Sequence, residues 1–498
     1  MGISERMSAV DTAWLRMDSD KNLMMIVGVY EFDGNLDDAR LRELLLERLV
    51  THRRFRSRVV RDATGSYWQE CEDFDLDEHL VRRKLPGKGT EADLKKLVGK
   101  LASERLPADK PLWQMQVIEN YRGGQALVVR IHHCIADGIA LIGVLLSLTS
   151  DEKTVDAERV PRRGNGTWSA RFQPLTAITV KAIDVTGDVA STVLRSYGAM
   201  LDTKGALTDT ALRYASVAAK VAKEATAIAL MTSDDTTSLK GTPAGKKVVA
   251  WNEPLALSDV KAVSKALGCS INDVLLACVA GAIRSYLEAR GEQVDGHELR
   301  AMVPVNLRDP REWKKLGNKF GLVPLLLPIG IGNPIARVFE VQRRMAELKT
   351  GYTAVLSMAL LGAVGFAPQL LQRQTLDFVA RKASAVMTNV PGPQHALYVA
   401  GARVKRLMFW VPQSGDIGVG VSILSYDGGV QFGLITDQQM CTDPQQIIDR
   451  FQPEFEKLAL ALCMLPWGQA IDAGDAPGWL FSSSPPRTNR SKSSARTR

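Results

Sequence analysis

The sequence predicts a mixed α/β protein of the α+β type, made of two halves that each hold a mixed sheet flanked by helices. Its 498 residues are too many for one ordinary core and enough for two. Stretches with strand alternation and stretches with helical spacing follow one another without a fixed repeat, which argues against a parallel barrel or a repeat array. We expect a first half at 1–180, a helical crossover and linker at 181–247, a second half at 248–470 and a disordered basic tail at 471–498.

In the first half, apolar periodicity and turn residues predict the elements in chain order. They are a short helix at 10–15, a strand at 23–32, a helix at 36–50, a strand at 113–119, a turn at 120–125, a strand from 126 and a helix at 139–148. Acids begin the helix at 36–50 and Arg48 lies near its end, as the helix dipole favours. The strand from 126 ends at two histidines.

The second half repeats the mixed pattern after a long connection. A Pro-, Arg- and Gly-rich stretch at 160–173 leads into Ala-rich helices at 177–231 and a polar linker at 232–247. We then expect strands at 248–251, 299–306, 322–327, 404–410, 417–426 and 429–435, and helices at 257–267 and 272–288. A closing helix at 444–465 has Asp443 as its candidate N-cap and Pro444 in its first position.

The composition is that of a globular protein, with 45% hydrophobic and 24% charged residues. Five of the positive charges behind the net charge of +8 lie after residue 481, which leaves +3 for the rest of the chain. This mild excess, without a basic stripe that carries aromatics, argues against nucleic acid as a partner. The Ser-, Pro- and Arg-rich tail predicts disorder, with a weak tether to anionic lipid as the alternative.

Six scattered cysteines form no Cys-x-x-Cys pair and have no histidines at metal spacing, which predicts buried free thiols in a reducing compartment and no metal site. The first residues lack a basic region followed by an apolar core, so we expect no secretory signal and a cytoplasmic location. The segment 350–372 carries no charge and approaches membrane-spanning length. Polar and helix-breaking residues interrupt it, so a buried helix or an interfacial, substrate-gating helix is expected before a true span.

The most informative stretch is His132-His133-Cys134-Ile135-Ala136-Asp137-Gly138, where a predicted strand turns into a helix. Because neighbouring strand side chains point to opposite faces, His132 and His133 cannot both reach one reacting atom. One histidine acts and the other supports it. Asp137 falls at the helix entry, where it caps free N–H groups or holds a cation that keeps the loop closed. Gly138 allows a close approach.

Other mechanisms lack support in the sequence. No Gly-x-Ser-x-Gly elbow exists, and the stretch 241–247 is one residue short of a phosphate loop. Cys134 sits beside the histidines, but nothing specifically activates it as a nucleophile. The chemistry that fits is removal of a proton from an alcohol as it attacks a thioester. Neutral imidazole accepts such a proton as the bond to the carbonyl forms, and direct transfer needs no covalent intermediate.

With these residues in place, the chain resembles the bacterial wax ester synthase/diacylglycerol acyltransferases, within the CoA-dependent acyltransferase superfamily. The likeness runs from Ser8 to about Pro466. Beyond the histidine motif, it is carried by Pro111-Leu112-Trp113, Asn272-Asp273, Pro304-Val305-Asn306-Leu307-Arg308, Gly317-Asn318-Lys319-Phe320-Gly321 and Asn389-Val390-Pro391. Thr388 stands where the family usually has serine before Asn-Val-Pro-Gly-Pro, which keeps a hydroxyl.

The resemblance implies two chloramphenicol-acetyltransferase-like halves with the active-site channel at their interface. It implies that His133 is the general base, that His132 supports it, and that Asp137 is structural. In relatives this aspartate pairs with an arginine of the other half, and Arg308 occupies the matching position. We therefore predict an Asp137–Arg308 ion pair that locks the catalytic loop across the interface.

Further candidate residues have two readings each. Asn272 either supports the oxyanion or is the N-cap of the helix that follows it. Trp113 either walls the acyl channel or belongs to the core. The stretch 389–393 is expected to form a rigid turn that shapes the tunnel, with Asn389 and Pro391 as candidates for substrate binding.

The resemblance implies an acyl-CoA-dependent O-acyltransferase of triacylglycerol biosynthesis and lipid storage. Such an enzyme makes triacylglycerol from diacylglycerol, wax esters from long-chain alcohols, or both. Acyl-CoA is then a substrate and no cofactor is expected. The expected partners are acyl-CoA, the acceptor lipid and, peripherally, the inner membrane face or a lipid inclusion. The alternatives are a relative that uses a carrier-bound thioester and a non-catalytic protein that coats lipid droplets.

Overall fold

The computed structural model describes most of the two predicted halves. The described residues are 4–62, 65–150, 231–308, 316–350, 353–366, 378 and 380–464. The predicted connection at 160–173, all but the last residue of the predicted helices at 177–231, and the basic tail lie outside the described residues.

The elements of the first half agree with the predicted order and add a hairpin and three further elements. They are β1 (Ser4–Arg6), α1 (Ala9–Met17), β2 (Met25–Asp33), α2 (Asp38–Leu44), β3 (Ser57–Asp62), β4 (Gly65–Glu70), β5 (Leu80–Lys84), α3 (Glu91–Ala102), β6 (Trp113–Tyr121), β7 (Gly124–His132) and α4 (Gly138–Ser147). A single π-helical turn, Leu45–Leu49, extends α2 to nearly the predicted length. A 3₁₀ turn, Arg53–Arg56, precedes β3.

The elements of the second half follow the same mixed order. They are β8 (Lys247–Trp251), β9 (Leu255–Ala256), α5 (Leu257–Ala266), α6 (Ile271–Ala289), β10 (Leu299–Asn306), β11 (Phe320–Leu327), α7 (Pro334–Thr350), α8 (Thr353–Phe366), β12 (Ala385–Pro391), β13 (Tyr398–Val399), β14 (Ala402–Trp410), β15 (Val419–Tyr426), β16 (Gly429–Asp437) and α9 (Gln445–Cys463). The fold class predicted from the sequence, mixed sheets with flanking helices, is confirmed.

Two mixed sheets form the centres of the halves. The first has the order β13-β14-β2-β7-β6-β5, and the second has the order β11-β10-β12-β15-β16-β8 with β9 added beside β16. A small third sheet has the order β1-β4-β3. In the first sheet β5 and β6 are parallel, and in the second β12 is parallel to both β10 and β15. The strand that ends at the histidines, β7, is thus an inner strand with neighbours on both sides.

One strand of the first sheet comes from the second half of the chain. Residues 403–410 of β14 pair antiparallel with residues 27–33 of β2. The buried Arg406 of β14 binds Glu31 at 2.8 Å and Glu91 at 2.9 Å, both in the first half. The boundary expected at 248 is therefore a boundary along the chain but not between the sheets.

Apolar side chains fill the space between each sheet and its helices. One core packs the second sheet against α5, α6, α7 and α9, and another packs the first sheet against α1, α2 and α4. The opposite face of the first sheet is covered by α3 and by Trp251 of the second sheet. The first sheet is therefore buried on both faces, which explains why every residue of β7 is buried.

Several local predictions were wrong. Asn389 and Pro391 are not in a rigid turn, because they end β12, which pairs with β15 along its whole length. Asp443 is not the N-cap of α9, since Pro444 takes that position without a side-chain cap and Asp443 instead accepts from the Gln446 side chain. The cysteines are all free but not all buried, as Cys463 is exposed.

The charge-free segment 350–372 contains α8. The helix packs on β11 and on α1, so it covers the junction of the two halves. Its Ala354 and Leu361 are buried, whereas Leu360 is 37% exposed. In the described part of the chain, no single helix is long and apolar enough to cross a membrane, and α5 with α6 qualifies only as a pair bent by 101°.

Candidate active site

The histidine motif forms the turn between β7 and α4. The His132 N–H donates to the carbonyl of Leu112, and the His133 N–H donates to the carbonyl of Met24 at 2.7 Å. The chain then turns, and Asp137 becomes the N-cap of α4 by accepting from the Ala140 N–H at 2.9 Å. This confirms the predicted strand, the predicted helix and the capping role of the aspartate.

The imidazole of His133 is buried against two aromatic rings that also contact each other. Trp14 of α1 stacks on it with 4.2 Å between ring centroids and an angle of 21°, and Phe320 of β11 lies at 5.4 Å. Burial lowers the pKa of His133 to about 4, against the opposing attraction of the Asp137 carboxylate. His133 is therefore neutral at physiological pH, which is the state a general base needs.

His132 points to the opposite side and has different partners. Its Nδ1 accepts from the Cys134 N–H at 3.2 Å, which places the ring proton of the neutral form on Nε2. That nitrogen lies 3.7 Å from Asp18 Oδ1, which also accepts from the Met24 N–H. Burial raises the pKa of Asp18, but the hydrogen bond and charge of His132, with Met24 and Arg105, together lower it. His132 is thus placed where it can support the turn but does not line the cavity that holds His133.

The predicted ion pair between Asp137 and Arg308 is present. Arg308 Nη2 donates to Asp137 Oδ2 at 2.7 Å, and the two side chains are 1% and 4% exposed. The same oxygen accepts from the Lys319 N–H at 2.9 Å, while Arg308 also donates to the Gly317 carbonyl at 2.6 Å. Because Arg308 and Lys319 belong to the second half, this carboxylate fastens the catalytic turn to the other half of the molecule.

His133 opens onto a cavity of about 150 Å³ between the two halves. Its walls are mostly apolar and come from α1, α4, β10, β11, α8, β12 and β14. The polar members of the lining include Asn306, Thr388 and Asn389. Such a cavity suits an apolar ligand and limits the access of water to His133.

Gly138 also lines this cavity, at the first position of α4. A Cβ at this position would meet only Val411 Cγ1 at 3.8 Å, an ordinary contact. No close contact within the described part of the protein therefore requires a glycine at position 138.

The remaining predicted site residues divide into two groups. Asn389 and Pro391 line the cavity, as expected of substrate-binding candidates. Asn272 does not line it, and its Oδ1 accepts from Asn389 Nδ2 instead. The N-cap of α6 is Ser270, in a capping box with Asp273, so the N-cap reading of Asn272 was wrong. Its support of the oxyanion stays a prediction.

Trp113 belongs to the core rather than to the cavity wall. It is 1% exposed, donates from Nε1 to the Phe55 carbonyl at 2.7 Å and stacks on His79 at 4.6 Å. It is absent from the lining of the cavity that holds His133. The structure therefore favours the core reading over the channel-wall reading.

Sequence reasoning missed the contribution of α1. The helix was predicted, but no role was assigned to Trp14, which stacks on His133, or to Asp11, which is 1% exposed. A signal was present, because a carboxylate three residues before a tryptophan lies on the same helix face. Asn318, quoted only as part of a motif, donates to the His133 carbonyl at 2.9 Å.

The other reactive groups of the site do not form a rival centre. Burial raises the pKa of the Cys134 thiol well above its usual range, so the thiolate a nucleophile needs is disfavoured. Within the described ranges, no group of three or more histidine, cysteine or acidic side chains is placed to hold a metal ion.

Comparison with solved structures defines the class of fold. The wax ester synthase/diacylglycerol acyltransferase from Marinobacter aquaeolei VT8 matches with a TM-score of 0.64 and 19% identity, over 92% of this chain and 100% of that one. The first condensation domain of the calcium-dependent antibiotic synthetase matches with a TM-score of 0.58 and 15% identity, over 95% and 98%. The protein thus has the two-halved fold of these acyltransferases and condensation domains.

Sequence comparison then gives the family. The model of the wax ester synthase/diacylglycerol acyltransferase catalytic domain matches residues 7–275, and the C-terminal domain model of the same family matches residues 316–459. The probable diacylglycerol O-acyltransferase tgs1 of Mycobacterium tuberculosis H37Rv is 29% identical over 455 residues, which cover 89% of this chain and 93% of that protein. The chain belongs to the wax ester synthase/diacylglycerol acyltransferase family and is an acyltransferase.

Proposed function

We propose that the protein transfers the acyl group of acyl-CoA directly to the hydroxyl of diacylglycerol, of a long-chain alcohol, or of both, with His133 as the general base. The observation that carries the proposal is the neutral, buried imidazole of His133 on an apolar cavity between the halves. The family and the tgs1 relative support an acyl acceptor that is a lipid. The products are triacylglycerol, wax esters, or both.

The proposed step needs no cofactor and no acyl-enzyme. The imidazole takes the hydroxyl proton as the oxygen attacks the thioester carbonyl, and the carbonyl oxygen becomes an oxyanion. The tetrahedral intermediate then expels the CoA sulfur, which takes the proton from the imidazolium. A base of this kind contributes about 10² to 10⁴ in rate. The ring stacking of Trp14 holds the imidazole at the cavity, and the apolar walls keep water from hydrolysing the thioester.

The donor and the acceptor are tested by product analysis. The purified protein is given labelled palmitoyl-CoA with hexadecanol and diacylglycerol together, and the labelled products are separated by thin-layer chromatography. The proposal predicts labelled wax ester, triacylglycerol or both, and faster transfer from acyl-CoA than from the same acyl group on an acyl-carrier protein. Release of free fatty acid alone, or transfer only from the carrier, would contradict it.

We also propose that the protein works at a lipid surface on the cytoplasmic side, at the membrane or at a lipid inclusion. Both acceptors are insoluble in water, and α8 joins an exposed Leu360 to the cavity that holds His133. Phe378, just beyond the charge-free segment, is 45% exposed. Because Leu360 also lines the cavity, exposed apolar surface on α8 leads directly into it.

Flotation with liposomes that contain diacylglycerol tests this attachment. Leu360→Ser should lower the fraction of protein that floats, because it removes exposed apolar area at the cavity. The matched control is Leu460→Ser, since Leu460 is 66% exposed on α9 and is not part of the cavity. Equal losses in both variants, or no loss in Leu360→Ser, would contradict attachment through α8.

A further inference from the structure

A buried carboxylate on α1 has no part in the reaction described so far. Asp11 is 1% exposed, in a helix whose other buried side chains are mainly apolar. Its Oδ1 accepts from Asn318 Nδ2 at 2.8 Å, and its Oδ2 accepts from Arg54 Nη2 at 2.9 Å. Burying a charge is costly unless it is paired and hydrogen-bonded, and here each oxygen has its own donor.

Both donors also hold the catalytic turn. Asn318 Nδ2 donates to the carbonyl of His133 at 2.9 Å, and Arg54 Nη1 donates to the carbonyl of Ile135 at 2.7 Å. Asp11 therefore binds two donors that are also hydrogen-bonded to the backbone carbonyls of His133 and Ile135. Because the backbone at His133 sets the direction of its Cα–Cβ bond, a shift of this carbonyl moves the imidazole.

The two ends of the turn are thus fixed by different carboxylates. Asp137 fastens the helix end through Arg308 and the Lys319 N–H. Asp11 fastens the strand end, where the imidazole is attached. Asp11 and its two donors come from α1, from the 3₁₀ turn Arg53–Arg56 and from the segment before β11, so this arrangement also joins the two halves.

We infer that Asp11 is a positioning residue for the general base, acting through Asn318 and Arg54 on the backbone of the catalytic turn. The inference rests on the proposed role of His133. A carboxylate is required because it accepts on both oxygens. In Asp11→Asn one of the two acceptors becomes an NH₂ group that faces a donor, so the bond to Asn318 or the bond to Arg54 must break.

The test compares kinetics with stability. Asp11→Asn should lower kcat by about 10- to 100-fold, because displacement of a reacting group by about 1 Å costs as much as 10²-fold. The KM for palmitoyl-CoA should stay within about threefold, since Asp11 does not line the cavity. Asn318→Ala should give the same pattern and covers the case in which the Asp11 variant does not fold. The double variant, Asp11→Asn with Asn318→Ala, should be no slower than the slower single variant. Both changes break the same linkage from Asp11 through Asn318 to the carbonyl of His133.

The matched control is Glu454→Gln on α9. Glu454 is 4% exposed and binds Arg337 at 2.9 Å, so it is a buried carboxylate paired with an arginine, as Asp11 is, but none of its partners touches the catalytic turn. The control should lose thermal stability and keep its kcat. A kcat within twofold of the parent in Asp11→Asn, multiplied effects in the double variant, or an equal loss of kcat in Glu454→Gln would overturn the inference. Activity retained by His133→Gln would instead overturn the proposed function itself.

Discussion

The pH dependence of catalysis should depart from that of an ordinary histidine. Desolvation by burial beside Trp14 and Phe320 holds the pKa of His133 at about 4, well below the usual value of about 6.5. A base with a pKa near 4 is about 97% neutral at pH 5.5, whereas one with a pKa near 6.5 is only about 9% neutral. The rate at pH 5.5 should therefore stay close to its value at pH 7.5, where an unperturbed histidine would have lost about tenfold.

The free energy of unfolding should also depend on pH through His133. Between pH 6.5 and about 4 the unfolded chain binds a proton at His133 that the folded chain does not bind. The free energy of unfolding therefore falls as the pH falls through this window, by up to about 3 kcal/mol. His133→Gln has no titrating group at this position and should lack that component.

The assay is the pH profile of kcat/KM for acyl transfer, with each sample returned to pH 7.5 to show that activity recovers. Trp14→Leu opens one face of the imidazole, so the acid limb should move upward towards 6.5. The control is Trp251→Leu, since Trp251 is equally buried but packs on Trp410 and not on His133. An acid limb near 6.5 in the parent protein, or an equal shift in the control, would refute the claim that burial tunes this base.

Two further variants test the Asp137–Arg308 ion pair and the core position of Trp113. Arg308→Met leaves the Asp137 carboxylate buried without its cation, so it should lower the free energy of unfolding by about 3 to 5 kcal/mol in urea denaturation and also lower kcat. The control is Arg337→Met, which breaks the equally buried pair with Glu454. It should lose comparable stability without the loss in kcat. Trp113→Phe removes a buried hydrogen bond and should cost about 2 kcal/mol of stability. Its preference among acyl-CoA chain lengths should not change, and a changed preference would place Trp113 in the acyl channel after all.

The local features of the site could be predicted from the sequence because they depend on neighbouring residues. Strand alternation separates His132 from His133, and an aspartate before an apolar helix predicts the cap that Asp137 forms. The Asp137–Arg308 pair spans 171 residues of sequence, so no spacing rule could supply it. It came from the resemblance to a family.

The predictions that were wrong concern features that depend on tertiary structure. The pattern at 404–410 identifies a strand but not its sheet, and β14 joins the sheet of the other half. Apolar alternation also does not tell whether Trp113 lies in the core or at a cavity wall. The Asn-Val-Pro-Gly-Pro stretch has turn residues, yet its first three residues end an inner parallel strand whose final residue is Pro391, where the missing N–H is tolerated.

The same limit explains why α1 was underestimated. An aspartate and a tryptophan three positions apart read as one polar and one apolar group on a short helix. Their importance comes from Asn318, Arg54 and His133, which lie in other elements and meet Asp11 and Trp14 only in the folded chain.

The most direct test of the central claim compares His133→Gln with His132→Gln in one acyl-transfer assay with labelled palmitoyl-CoA and the better acceptor. Both variants remove one imidazole from the same turn, so a general loss of structure would affect them alike, and circular dichroism verifies that both are folded. The account predicts that His133→Gln loses about 10² to 10⁴ in kcat, while His132→Gln keeps a larger share of the activity. A folded His133→Gln variant that retains more than a tenth of the parent kcat would contradict it.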